Sequence, residues 1–106
     1  MIQAEKEVSP GELLRHVKSL HGTDAKFIKS EPVEESFDEQ IVWQGFVHTF
    51  ELIGHAKTDA CFAWSSPVEG SDNRKFYAVL KIPPIETAQD AVKAAIISDF
   101  KNKGNN

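Results

Sequence analysis

The sequence holds one cysteine, Cys61, and one methionine. A single thiol closes no internal disulfide, so the fold must stand on its core, and a reducing compartment is the expected setting. No stretch approaches the roughly 18 consecutive apolar residues of a membrane-spanning helix. The opening Met1-Ile2-Gln3-Ala4-Glu5-Lys6-Glu7 has neither the basic nor the apolar region of a secretory signal. These absences predict a cytoplasmic chain with no membrane partner. Basic excess is missing too: 12 Lys and Arg stand against 16 Asp and Glu, for a net charge of −4. Sequence-independent binding to a nucleic-acid backbone needs a basic footprint, so this acidic chain is not expected to bind nucleic acid. The phosphate cradles G-x-x-x-x-G-K and G-x-G-x-x-G do not occur, nor does the G-x-S-x-G nucleophile elbow. Neither C-x-x-C nor H-x-x-x-H is present, and no metal or cofactor is expected.

What is present suits one globular domain. At 106 residues, 41% hydrophobic and 26% charged, the chain should bury roughly 65% of the surface its unfolded form exposes. The domain is expected to span residues 1–106, with 1–8 and 102–106 as flexible tails.

The first helix is marked by its ends. Ser9-Pro10-Gly11-Glu12 reads as a capping box with proline at the first helical position. Leu13, Leu14, Val17 and Leu20 form a stripe at helical spacing, and Gly22 supplies the stop, which predicts a helix over residues 10–21. Residues 25–30 read as a short strand ended by Pro32. The acidic stretch after it, with Glu31, Glu34, Glu35, Asp38 and Glu39, reads as a solvated loop or edge segment. Residues 41–53 are β-branched and aromatic, with Gly45 a possible bulge. Residues 58–65 and 75–82 read as further strands, and Pro83-Pro84 breaks the sheet. Thr87 caps a second helix over residues 88–101, with Ala91, Val92, Ala95, Ile96 and Phe100 as its buried stripe. The expectation is an α+β, two-layer sandwich. Its antiparallel sheet of three or four strands carries the N-terminal and C-terminal helices on one face.

This order resembles the double-stranded-RNA-binding topology in outline. Such domains need basic residues where their last helix starts, whereas this chain has Glu86-Thr87-Ala88-Gln89-Asp90 there, opposite in sign, so that reading is rejected and no family is assigned.

A turn centred on His55 and Ala56 sets Glu51 opposite Ala60, Thr49 opposite Phe62 and Val47 opposite Trp64. Both faces of the ribbon are then apolar. One gathers Val42, Phe46, His48 and Phe50 beside Cys61 and Ala63; the other gathers Trp43, Val47, Phe62 and Trp64, with Tyr77 on the last strand. A sheet with one wet face should alternate apolar with polar. If both helices cover the first face, the second stays open. Trp43, Val47, Phe62, Trp64 and Tyr77 are therefore the expected interface or ligand surface. A homodimer joined through that face is one reading. A sheet curled round a small apolar ligand is another, and a bulge at Gly45 that leaves one ordinary core is a third.

His48 carries the enzymatic alternative. It shares a face with Cys61 and with Asp59, so a thiolate–imidazole pair or a carboxylate-oriented histidine is conceivable. Three functions follow: a homo-oligomeric accessory or binding protein, an apolar-ligand binder, and a minimal enzyme centred on His48.

Overall fold

The computed structural model describes residues 9–67, 70 and 72–104, with side chains as far as Asp99. The expected tail 1–8 and the end of the expected tail 102–106 lie outside the described residues, as does the side chain of Phe100.

Helix α1, Pro10–His21, starts and stops where its signals stand. The Ser9 hydroxyl accepts from the Glu12 amide at 3.3 Å, and Gly22, at φ 68°, sends its N–H to the Lys18 carbonyl at 2.9 Å. Helix α2, Ala88–Gly104, starts as expected, with Asp90 N–H donating to the Thr87 hydroxyl at 3.1 Å. It runs on through Gly104, three residues past its predicted end.

Between the helices runs an antiparallel meander in sheet order β1-β2-β3-β4: Asp24–Phe37, Gln40–Ile53, Ala60–Pro67 and Arg74–Leu80. β1 passes straight through Pro32, which faces Phe46 in register. An edge strand tolerates proline because one side of its backbone has no ladder to feed, so of the two expectations for the acidic stretch, loop or edge segment, the edge segment holds. Its irregularities fall between Phe27 and Lys29 and between Glu35 and Ser36; Gly45 sits in register opposite Val33.

The class and the element order are those expected, an α+β fold of order α-β-β-β-β-α. The layering is not. Leu13 and Val17 of α1 pack on Phe50, Leu52, Cys61 and Ala63. Ala88, Ala91 and Val92 of α2 pack on Val33, Val47, Phe62 and Trp64. Successive residues of β3 thus alternate between the two clusters, and because strand side chains alternate faces, the helices lie on opposite faces. The molecule is a three-layer α/β/α arrangement rather than a two-layer sandwich. Each Val or Phe buried this way contributes about 1.5–3 kcal/mol.

The sheet is also uneven. β1 and β2 pair along nearly their whole length, whereas β2 pairs with β3 only over His48–Glu51. The predicted pairs Glu51–Ala60 and Thr49–Phe62 form; Val47–Trp64 does not. Beyond His48 the β1–β2 hairpin therefore projects as an arm of two strands.

Candidate functional site

Three places gather the residues singled out by sequence. On the α2 face, Trp64 is 2% exposed, and Val47 and Phe62 are likewise buried. Trp43 and Tyr77 are partly buried against the same cluster. The Trp64 and Tyr77 rings stack at 5.0 Å and 7°, and Trp43 lies 6.1 Å from Trp64. The Tyr77 hydroxyl donates to Asp99 Oδ2 at 2.6 Å, and Lys75 Nζ donates to Asp99 Oδ1 at 3.2 Å. Burial, followed by the Asp99 hydrogen bond and charge, drives the Tyr77 pKa upward. This face is a core sealed by α2. The open aromatic surface expected from sequence does not exist, because the second helix covers the face that the first leaves bare.

On the α1 face, His48 is 6% exposed, and its Nδ1 shares a 2.6 Å hydrogen bond with the Ser30 hydroxyl. The Phe27 ring lies 6.2 Å away. Burial holds the His48 pKa below its usual value. Cys61 is fully enclosed beneath α1, and burial pushes its thiol up to about 12. At neutral pH it is a thiol, not the thiolate that attack or metal binding needs. Asp59 is exposed before β3, its backbone carbonyl accepting from Leu52 N–H at 2.8 Å. The side chain that hydrogen-bonds His48 is thus Ser30 rather than Cys61 or Asp59. Ser30 faces His48 across the β1–β2 ladder, a register that the early strand end assigned at Pro32 concealed. Among the described residues, no group of three or more His, Cys, Asp or Glu is placed to hold a metal ion. No helix among them is long and apolar enough to cross a membrane.

The third place is the arm, which sequence reasoning missed. Its tip turns on two residues, Asp38 at φ 53° and Glu39 at φ 65°, the positive-φ pair of a type I′ hairpin. Phe37 is 65% exposed, Ile41 54% and Val42 48%, and on the neighbouring helix Ile97 is 50% exposed. Phe37, Val42, Ile96 and Ile97 wall a groove of about 430 Å³, with Glu35 and Lys93 beside them. Gln89 holds the arm against α2 by donating to the Glu34 carbonyl and to Glu35 Oε1, both at 2.9 Å. Lys93 Nζ stands 3.9 Å from Glu35 Oε2, and its side chain remains 60% exposed. The signal for this site was the acidic stretch interrupted by Phe37. A lone phenylalanine among Glu35, Asp38 and Glu39 is out of place in a solvated loop.

No protein-family model, no characterised protein and no solved structure matches this chain.

Proposed function

We propose that this chain is a non-enzymatic association module that works as a cytoplasmic homo-oligomer, with the β1–β2 arm and α2 as its contact surface. The observation that carries the reading is the exposure of Phe37, Val42 and Ile97 around one apolar groove. Support for the cytoplasmic setting comes from the lone thiol of Cys61, buried and unpaired.

Area sets the expected strength. A phenylalanine can bury ~150–250 Å², so Phe37 at 65% exposure leaves roughly 100–160 Å² in water. With Val42 and Ile97 the surface comes to roughly 250–350 Å², at the low end of the ~300–600 Å² that the largest apolar patch on a monomer spans. A standard interface takes about 800 Å² from each partner. The expected assembly is therefore weak and reversible, with a dissociation constant on the order of micromolar.

Sedimentation velocity over a dilution series tests this. The wild-type chain should pass from dimer to monomer, and Val42→Asp should stay monomeric with an unchanged circular-dichroism spectrum. A wild-type chain that is monomeric at millimolar concentration sinks the reading. A second reading has one observation in its favour: the groove volume lies within the ~300–1,000 Å³ of small-ligand pockets. A saturable response to an apolar probe by a strictly monomeric chain would favour it.

A further inference from the structure

Resting on that reading, we infer that a second copy docks by reciprocal insertion, each Phe37 entering the other's groove while Asp38 and Glu39 meet the partner copy's Lys93. The geometry of the arm motivates this arrangement. Phe37 is the most exposed apolar residue of the groove and stands at the tip, immediately before the turn. The turn places two adjacent exposed carboxylates, Asp38 and Glu39, beside that ring. The groove offers the opposite sign: Lys93 is more than half exposed and held only loosely by Glu35 at 3.9 Å. An acidic tip with an aromatic anchor therefore stands next to an apolar slot with a basic wall, in the same molecule. Two such surfaces satisfy each other under a two-fold axis, where residue i meets j and j meets i.

Charge also explains why a copy is accepted although the chain carries a net −4. The contact sets acidic tip against lysine twice, and complementary pairs across an interface steer encounter and fix register, while like charges cost several kcal/mol. The other outer surfaces of the sheet suit docking less well. β1's free edge carries Lys26, Lys29, Glu31 and Glu34 with Pro32 and an irregularity at Phe27/Lys29, the devices that blunt an edge. On β4, His21 Nε2 already bonds the Ala78 carbonyl at 3.0 Å.

The test joins charge reversal with cross-linking. Lys93→Glu should weaken the dimer at least about tenfold, and Asp38→Lys with Glu39→Lys should do the same. The triple variant that carries all three changes should return to within about threefold of wild type. Far-ultraviolet circular dichroism of each variant verifies the fold. Cys61 is enclosed, so an engineered cysteine reacts alone. Mixing Asp38→Cys with Lys93→Cys should give a mixed disulfide under mild oxidation, and the apolar anchors stay intact in both. A dimer that ignores the charge reversals and yields no 38–93 cross-link overturns the reciprocal arrangement and leaves the association reading standing. A chain that stays monomeric throughout overturns both, and so does an apolar small molecule that fills the groove of a monomer.

Discussion

Trp64→Ala separates a core tryptophan from an interface tryptophan. The indole is 2% exposed, stacked on Tyr77 at 5.0 Å and capped by Ala91 and Val92 of α2. Truncating a buried Trp to Ala costs about 3–5 kcal/mol from lost transfer energy and the cavity left behind. Losing the stack adds about 0.5–1.5 kcal/mol. A domain of this size is stable by about 5–15 kcal/mol, so the variant should sit near the edge of folding. At a urea slope near ~1.5 kcal/mol/M the midpoint falls by about 2–4 M. Phe46→Ala is the control: its ring is 47% exposed, and the change should cost at most about 1 kcal/mol. Urea titration followed by circular dichroism at 222 nm reads both. A Trp64→Ala cost below about 1 kcal/mol would refute the packing of α2 on this face and revive the open aromatic surface.

Glu39→Gly should stabilise the chain by about 0.5–1 kcal/mol, because glycine takes the positive φ of the hairpin turn without the left-handed penalty; thermal melting reads it, and a lower midpoint contradicts it. Cys61 should resist a thiol-specific disulfide reagent in native buffer and react at one thiol per chain in urea; rapid native reaction would show that the enclosure is wrong. His48 imposes a pH dependence. Its folded pKa lies below its usual value, so on acidification the unfolded chain takes up the proton first. Stability is complete above the unfolded value near ~6.5 and is lost as pH falls through the folded one. His48→Gln should flatten the urea midpoint between about pH 7 and 5; an unchanged slope would show that another group sets it.

The fold was legible where its signals are local. Ser9, Pro10 and Gly22 bound α1 by chemistry within a few residues, and Thr87 does the same for the start of α2. The turn between β2 and β3 set the Glu51–Ala60 and Thr49–Phe62 pairs by simple counting. What failed was tertiary. Apolar residues on both faces of β2 and β3 were read correctly as a demand for two covers, yet nothing local says which face a helix takes. The demand was met by one helix on each face, not by a partner. Pro32 reads as a strand end unless the strand is known to be an edge. Of the candidate site, His48 and Cys61 do share a face, as period-2 alternation requires, but enclosure of Cys61 depends on α1 arriving above it. The arm stayed hidden because Phe37 and Val42, close together in the hairpin, meet Ile97 only when the last helix packs against it.

Two-dimensional NMR of the wild-type chain across a dilution series tests the association surface most directly. Amide signals of Phe37, Ile41, Val42, Lys93 and Ile97 should move with concentration while the Trp64 indole signal and the α1 amides hold still. Spectra that do not change with concentration, or changes confined to α1 and β4, would contradict it.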